Sequence, residues 1–598
     1  MNNRLIYLLL EEEILSQLLS LISVEHKKNL LKDALKILGL DTTHYETYNE
    51  SELSQAILYI SFTCKEQDHT RNKILNECVE NDTYNINKNS TPKINNYNVN
   101  LKTKKNEFEP DIIRLDIKPN EQQQAIIEHC NDNVKVDSFA GAGKSTLSGM
   151  IVQELGFKNT LYTAYLKENI NDAELKITKN AYTQSALALR YALPASNLND
   201  SFECRIKIPS ASSLLNMIGF ERKIDIGSKT INAHLISNLI HKTVLNYCMS
   251  ISHDINDTHV PCSVIDSTAK IKIIRWSKAY WDCLLSGKNS SEFKVSFPHI
   301  MKFWSLSPRI QLDDSFENII LDEAQDIDGA FYNVLSNHSD RNIIVIGDSY
   351  QQLFGWRGAI NSMLLFDKPS FPLSISYRFD QCIADHSNQL LSNHSNPPSD
   401  KIIGQSTHSS NVIFYKKDTL KDINTSVILT RTKSRIIDLA EAEVTRGYKV
   451  HVKTEFKMIK WMLNDIMKLK DNIFDTITHP YIQRCSSFYT LETELEDSPD
   501  PEVYFALNLF KKHGNRSVDI IDLIEKNNVP ESDAIKMIST THSIKGREWD
   551  NVVIADDYEY VLSRENADRD SELSILYVAI TRAKKNVYIP ESLSYLFK

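Results

Sequence analysis

Residues 319–326 of this 598-residue chain read IILDEAQD, an apolar run that ends in an acidic pair. Far upstream, residues 134–147 read VKVDSFAGAGKSTL, in which a short strand pattern leads through a turn of small residues into a helix pattern. Carboxylates at the tip of a buried strand are costly unless they bind metal or take part in catalysis. The two stretches therefore predict one site, in which a loop holds nucleotide phosphates and an acidic pair holds magnesium and activates water.

The turn before the helix is the predicted phosphate-binding loop. In the order strand, turn and helix, backbone N–H groups and the positive end of the helix face an anion. Lys144 would reach the outer phosphates, and the Ser145 hydroxyl would ligate Mg²⁺. The strict pattern has glycine where this chain has Ser138, and a helix entry built from small residues is the alternative interpretation. The predicted ATP-binding residues of the loop are Ala140, Gly141, Ala142, Gly143, Lys144, Ser145 and Thr146.

The acidic pair supplies two complementary roles. Asp322 is the predicted magnesium ligand, and Glu323 is the predicted base that orients water. A solvated helix start is the alternative for such a run.

A second apolar strand pattern, at residues 342–346, ends in GDSYQQLFGWRGA at 347–359. On this loop Gln351 would sense the terminal phosphate and Trp356 would offer a flat face to a base, so one loop would serve both nucleotide and nucleic acid.

Three further segments indicate which class of nucleotide-binding protein the chain resembles: SYR at 376–378, THSIKGREW at 541–549 and YVAITRA at 577–583. With them, the chain resembles a superfamily 1 DNA helicase of the UvrD/Rep type from about residue 118 to the C-terminus. The stretch 281–306 is most similar to the F-box DNA helicase branch, although no F-box is recognisable. The expected fold class is α/β, with two RecA-like parallel-sheet lobes, helical insertions, a small α-helical N-terminal domain, and ATP at the lobe interface.

The resemblance implies further nucleotide contacts. Gln122 stands in the adenine-reading position of the segment KPNEQQQAI at 118–126, Tyr377 would stack on adenine, and Glu548 would meet the ribose. Arg378 and Arg582 resemble the two arginines that reach across from the second lobe to the phosphates. Guanidinium groups suit the spread charge of a phosphoryl transition state. Each arginine taken alone would more often form a surface ion pair.

The nucleic-acid side of the resemblance rests on aromatic and polar residues. Tyr165, Trp356, Thr541 and His542 are the predicted contacts to single-stranded DNA, and base stacking at roughly 1–3 kcal/mol each suits translocation without sequence preference. Core packing is the alternative for a lone tyrosine or tryptophan. The chain departs from the family at Leu166, where asparagine is usual, and at Gln184, where histidine is usual.

The motif positions set the expected domain organisation. Residues 1–82 show helical spacing of Leu and Ile and predict a small helical domain, and the Asn-rich stretch 83–109 predicts a linker. The first lobe is expected at 110–369 with a helical insertion at about 195–300. The second lobe is expected at 370–598 with a short insertion at about 440–533.

Composition restricts the chain's partners and its compartment. The formal net charge of −10 means that nucleic acid must bind a local groove rather than the whole surface. The nine cysteines form no CxxC pair, which argues against a zinc site and fits a reducing cytoplasm. The apolar run at residues 5–10 is short and precedes three glutamates, so neither a signal peptide nor a membrane span is expected.

The expected function is ATP-driven translocation along single-stranded DNA, with separation of tailed duplex DNA. The expected cofactors are ATP and Mg²⁺. The resemblance implies 3′→5′ polarity and a setting in DNA repair, recombination or phage defence. The alternative is a nucleic-acid-gated ATPase subunit that regulates or recruits a protein partner through residues 1–82. A metabolic kinase is a poor third interpretation, because it leaves the segments around Trp356, His542 and Arg582 unexplained.

Overall fold

The computed structural model describes residues 117–598, apart from interruptions at 227–228, 262–263, 265, 288–291, 354, 356–359, 424–426, 484, 498–499 and 565–567. The predicted helical domain at 1–82 and linker at 83–109 lie outside the described residues.

In chain order the strands are β1 (Lys135–Ser138), β2 (Thr160–Ala164), β3 (Ala181–Thr183), β4 (Lys223–Ile226), β5 (Lys229–Asn232), β6 (Asn318–Leu321), β7 (Asn342–Gly347), β8 (Ser370–Leu373), β9 (Ile375–Ser376), β10 (Ile403–Gly404), β11 (Asn411–Tyr415), β12 (Val427–Thr430), β13 (Val450–Val452), β14 (Lys536–Thr540), β15 (Trp549–Ile554) and β16 (Ala583–Pro590).

The α-helices are α1 (Glu121–Glu128), α2 (Lys144–Leu155), α3 (Lys167–Lys176), α4 (Gln184–Leu187), α5 (Leu193–Ala195), α6 (Ala211–Ile218), α7 (Ala233–Met249), α8 (Ser267–Leu285), α9 (Phe297–Ser305), α10 (Gly329–Ser336), α11 (Gln381–Leu391), α12 (Lys433–Thr445), α13 (Phe456–Lys470), α14 (Pro480–Gln483), α15 (Phe488–Asp497), α16 (Pro501–His513), α17 (Arg516–Lys526), α18 (Asp557–Leu562) and α19 (Arg569–Ile580).

Two parallel sheets organise the described part of the chain. The first is six-stranded in the order β3-β2-β6-β7-β1-β8, and the second is six-stranded in the order β11-β16-β15-β12-β14-β13. In both sheets the pairing joins strands distant in sequence, which requires the helical crossovers seen between them. The α/β class with two parallel-sheet lobes is confirmed.

Each sheet is buried on both faces. In the first lobe, Ile319 and Leu321 of β6 pack into one apolar cluster, whereas Ile320 between them packs into another. The second lobe repeats the pattern at β12, where Val427 and Ile428 lie in different clusters. Successive side chains of a strand point to opposite faces, so a strand covered on both sides reads as a continuous apolar run. This is the physical reason for the apolar runs in the sequence.

The helical insertion of the first lobe packs against one face of its sheet. Helices α7 and α8 contribute Ile240, Val244 and Trp276 to the cluster that also contains Ile319 of β6. The antiparallel hairpin β4-β5 lies within this insertion, between α6 and α7. The insertion is therefore mostly helical and shares the core of its lobe.

The strand pairing refines the boundaries read from the sequence. Ser370–Leu373 pairs with β1 as the edge strand of the first sheet, although the sequence boundary assigns these residues to the second lobe. Val450–Val452 pairs with β14 inside the second sheet, although it falls within the expected insertion at 440–533. Both strands are short, and their sheet partners are remote in sequence, so local pattern does not identify the sheet to which they belong.

None of the helices that the structure describes between residues 117 and 598 has the length and apolar character needed to cross a bilayer.

Candidate functional site

The predicted phosphate-binding loop, called the phosphate loop below, lies between β1 and α2 and depends on two glycines. Gly141 has φ +75° and Gly143, the N-cap of α2, has φ +81°. A Cβ at Gly141 would lie 2.5 Å from Ser376 Oγ and 2.7 Å from Arg378 Cβ. Glycine is required at Gly141 because the backbone is left-handed there and the second lobe approaches closely.

Ser138, the departure from the strict loop pattern, has a structural role. It is the last residue of β1 and is buried, and its hydroxyl donates to the backbone carbonyl of Gly347 at 2.7 Å. The hydroxyl thereby joins the tips of β1 and β7, from which the phosphate loop and the Gln351 loop begin. A glycine at this position would lack that connection.

The acidic pair follows β6. Asp322 is buried; it accepts hydrogen bonds from the Tyr162 hydroxyl and, at 2.8 Å, from the Glu323 backbone N–H. Burial, and then the neighbouring Glu323 charge, raise the pKa of the Asp322 carboxyl. Glu323 has φ +53°, an uncommon backbone conformation for a residue with a Cβ. Strain of this kind persists only where surrounding structure fixes it.

The Glu323 carboxylate is held between two lysines. Lys144 of the phosphate loop lies 3.3 Å from its Oε1, and Lys545 of the second lobe lies 3.0 Å from its Oε2. Gln325 donates to Oε2 at 2.6 Å. Burial alone would raise the pKa of Glu323, but Lys144 and Lys545 outweigh it and hold that pKa well below its usual range. Glu323 is therefore charged at neutral pH, as the predicted role of a base would require.

Lys545 is a residue whose role sequence reasoning missed, although it stands inside the quoted segment 541–549. Its side chain is 5% exposed and forms ion pairs with both Glu323 and Asp326, and its ammonium also donates to the Gln351 carbonyl at 3.0 Å. Burial would lower its pKa, but Asp326 and Glu323 raise it overall. One lysine of the second lobe thus compensates two carboxylates of the first.

Gln351 is fixed at both ends of its amide. Its Nε2 donates to Asp348 at 2.7 Å, and its Oε1 accepts from Arg582 at 3.2 Å. Arg582 is 2% exposed and also donates to the Val578 and Arg547 carbonyls. Burial, and then the nearby Arg378 charge, lower the pKa of Arg582 to about 9.

The second arginine is oriented within its own lobe. Arg378 Nε donates to Glu548 at 2.7 Å, and Nη1 donates to the Thr581 carbonyl at 2.9 Å. Lys584 lies 3.1 Å from the other oxygen of Glu548. Glu548, predicted to meet the ribose, here positions Arg378.

These groups surround one cavity of about 430 Å³ between the two lobes. The predicted residues that line it are Gly141, Ala142, Gly143, Lys144, Ser145, Thr146, Asp322, Glu323, Gln351, Tyr377, Arg378, Glu548 and Arg582. Ala140 and Gln122 lie outside the lining. The Ala140 N–H donates to the Tyr577 hydroxyl at 3.1 Å, and the Gln122 amide bonds the Ser374 hydroxyl and backbone N–H at 2.8 and 3.0 Å.

The cavity contains oxygen donors of the type that Mg²⁺ prefers. The Ser145 hydroxyl and the buried Asp322 carboxylate both line it. Within the described residues no group of three or more His, Cys, Asp or Glu side chains is arranged to hold a metal ion. Mg²⁺ usually binds one or two protein oxygens together with substrate phosphates and water, and these two residues fit that arrangement.

The predicted DNA contacts occupy different environments. Tyr165 and Leu166 of the first lobe are partly buried against the apolar cluster of the second lobe. Thr541 is buried, and its hydroxyl bonds that of Tyr558, whereas His542 is partly exposed. Trp356 lies outside the described residues.

Gln184, the second departure from the family, stands at the start of α4. It is buried, and its Nε2 has no hydrogen-bond partner among the residues that the structure describes.

The fold and the cavity define the class: a protein of two parallel-sheet lobes with a phosphate loop at their interface. Two segments of the chain match known protein-family domains. The UvrD/REP helicase N-terminal domain matches residues 291–372, and the UvrD-like helicase C-terminal domain matches residues 537–589. These two segments therefore match the N-terminal and C-terminal domains of UvrD-like helicases.

Individual relatives of the chain are named as DNA helicases. F-box DNA helicase protein 1 of Schizosaccharomyces pombe is 23% identical over 518 residues, covering 79% of this chain and 58% of that protein. F-box DNA helicase 1 of Gallus gallus is 24% identical over 523 residues, covering 80% and 50%. The ATP-dependent DNA helicase PcrA of Leuconostoc citreum is 30% identical over 116 residues, covering 18% and 15%. The chain therefore spans between 50% and 58% of the length of the two F-box helicases.

Proposed function

We propose that this chain is an ATP-dependent translocase on single-stranded DNA and a helicase, with 3′→5′ polarity. The supporting observation is the shared cavity: the phosphate loop and acidic pair come from one lobe, and Arg378 and Arg582 come from the other. A phosphoryl-transfer site split between two lobes couples the state of the nucleotide to the distance between them.

The contacts of Glu323 suggest how hydrolysis would begin. Its Oε1 faces Lys144, whereas its Oε2 is held by Lys545 and Gln325. ATP phosphates would compete for Lys144 and release Oε1, while Oε2 stays fixed. The freed oxygen would then orient the attacking water. Bound Mg²⁺, held by Ser145 and Asp322, would supply charge neutralisation at the phosphates.

The arginines and Gln351 would act at the transition state. Arg378 and Arg582 would meet the charge that spreads over the transferred phosphoryl oxygens, where such groups contribute strongly to rate. Gln351 is oriented by Asp348 on one side and Arg582 on the other, so it connects the nucleotide to the loop that contains Trp356.

The direct test is unwinding of a 3′-tailed duplex by the purified chain, beside single-strand-stimulated ATP turnover. Lys144→Ala should abolish both unwinding and ATP turnover, because the loop loses the positive charge that would face the phosphates. The protein should stay folded, because the substitution removes no core packing. ATP turnover in Lys144→Ala at the wild-type rate would refute the motor assignment. Unwinding of a 5′-tailed duplex alone would refute the polarity.

ATP turnover without unwinding would favour the second candidate, a nucleic-acid-gated subunit that acts on a protein partner. We propose DNA repair, recombination or phage defence as the setting and the cytoplasm as the location. A protein partner would bind through residues 1–82. Recovery of the same proteins with the full chain and with residues 108–598 alone would contradict that last proposal.

A further inference from the structure

The hydroxyl of Tyr577, a residue of the second lobe, forms hydrogen bonds with the first lobe. Tyr577 stands on α19 and is fully buried. Its hydroxyl accepts from the Ala140 backbone N–H of the phosphate loop at 3.1 Å and donates to Asp348 Oδ2 at 3.2 Å. One hydroxyl therefore bonds two loops of the opposite lobe.

Asp348 is the residue through which this contact reaches the nucleotide site. It is fully buried, and besides Tyr577 it accepts from Gln351 Nε2 at 2.7 Å and from the Tyr350 backbone N–H at 3.0 Å. Burial raises its pKa to about 6. A buried carboxylate depends on each donor that faces it, because a lost hydrogen bond is not replaced by water.

The same helix returns to the site at its C-terminal end. Arg582 follows α19 and donates to Gln351 Oε1 at 3.2 Å, opposite the amide nitrogen that donates to Asp348. Tyr577, Asp348, Gln351 and Arg582 thus form a continuous chain of hydrogen bonds that leaves the second lobe and returns to it.

We propose that Tyr577 is a positioning residue for ATP hydrolysis: its hydroxyl fixes Asp348, which in turn fixes the amide of Gln351. This inference rests on the proposed ATPase function and adds a residue to it. Burial and then Asp348 raise the pKa of Tyr577 well above its usual value, so the hydroxyl keeps its proton and remains a donor.

Packing alone does not account for the hydroxyl. Phenylalanine would fill nearly the same volume as Tyr577, and a buried hydroxyl is costly unless it has hydrogen-bond partners.

A second buried tyrosine of the same lobe offers a matched comparison. Tyr415 donates to the Ile554 carbonyl at 2.6 Å, a contact that stays within the second lobe and outside the cavity lining.

The test compares Tyr577→Phe with Tyr415→Phe in the full chain, with oligo(dT) as the single strand. Tyr577→Phe should lower kcat for ATP by about tenfold and change KM by less than about threefold, because the lost hydrogen bond positions Gln351 and Lys144 still binds phosphate. Tyr415→Phe should keep the wild-type kcat. Thermal denaturation of both variants shows whether either is unfolded.

A double variant separates positioning from a general structural effect. Because Tyr577 acts through Gln351, the double variant Tyr577→Phe/Gln351→Ala should be no slower than Gln351→Ala alone. Effects that multiply, equal losses in the two tyrosine variants, or a wild-type kcat in Tyr577→Phe would each overturn the inference while leaving the proposed function in place. Absence of ATP turnover in the wild-type chain would instead refute the proposed function and the inference together.

Discussion

Gly141→Ala tests how closely the second lobe approaches the phosphate loop. The backbone φ of +75° places alanine in a conformation that costs on the order of 1–3 kcal/mol. The new Cβ would lie 2.5 Å from Ser376 Oγ and 2.7 Å from Arg378 Cβ, so the loop or the segment bearing Arg378 must move. Overpacking of this kind typically costs about 1–3 kcal/mol more.

Gly156→Ala is the matched control, because it contributes strain without a clash. Gly156 ends α2 with φ +96°, and apart from the local backbone and the two adjacent residues no atom of the described residues lies within 4 Å of the position that an alanine methyl group would occupy there. We expect this variant to lose about 1–3 kcal/mol of unfolding free energy and to keep its ATP turnover. Gly141→Ala should lose about 2–6 kcal/mol and about 100-fold in turnover, since a displacement of about 1 Å at a reacting group can cost that much in rate.

The assay is ATP turnover with saturating oligo(dT), beside urea denaturation of each variant. Ser376→Ala provides a partial rescue, because it removes the Ser376 hydroxyl, which is one of the two close contacts of the new methyl group. That hydroxyl is buried and has no hydrogen-bond partner among the described residues, so its removal leaves no other described polar group unpaired. Gly141→Ala/Ser376→Ala should therefore recover part of the lost turnover. Equal turnover in the two glycine variants would refute the inferred approach of Arg378 to the loop.

Three further variants address the proposed base, the second-lobe lysine that pairs with it and the loop predicted to contact DNA. Glu323→Gln should bind ATP yet fail to hydrolyse it, with tighter single-strand binding when ATP is present; wild-type hydrolysis would mean that Glu323 is not the base. Lys545→Met should cost about 3–5 kcal/mol in urea denaturation, because Glu323 and Asp326 lose their buried partner, whereas Lys585→Met in an exposed pair should cost at most about 1 kcal/mol; similar losses would contradict this account. Trp356 lies outside the described residues. Trp356→Ala should reduce unwinding far more than DNA-free ATP hydrolysis, and equal losses of the two activities would mean that Trp356 has a structural role.

Local sequence patterns predicted the parts of the site that are contiguous in the chain. The phosphate loop is a strand, two glycines and a helix start within a short stretch, and the acidic pair follows directly on an apolar strand. Each of these patterns has its own physical cause, namely left-handed backbone at Gly141 and Gly143 and the burial of β6 on both faces. Sequence reasoning could therefore assign them before any contact was known.

Contacts between remote segments were beyond such reasoning. Lys545 and Asp326 are 219 positions apart, and Tyr577 and Asp348 are 229 apart, so no periodicity or spacing relates them. The amide of Gln122, the predicted adenine reader, likewise bonds Ser374, 252 positions away, a contact that no local pattern indicates. These pairings depend on how two sheets meet, which depends on the packing of whole lobes.

The two connections from the second lobe would make the proposed ATP hydrolysis depend on lobe closure. Lys545 fixes one oxygen of Glu323, and α19 fixes Gln351 from both sides through Tyr577 and Arg582. Separation of the lobes would release the proposed base from Lys545 and the proposed γ-phosphate sensor from Arg582 at the same moment. Glu323 would keep Lys144 but lose Lys545, and Asp348 would lose the Tyr577 hydroxyl. Because buried charges favour the arrangement that pairs them, the closed state is the one in which both residues are oriented. ATP hydrolysis would then be confined to the closed state, which is the coupling that a translocating motor requires.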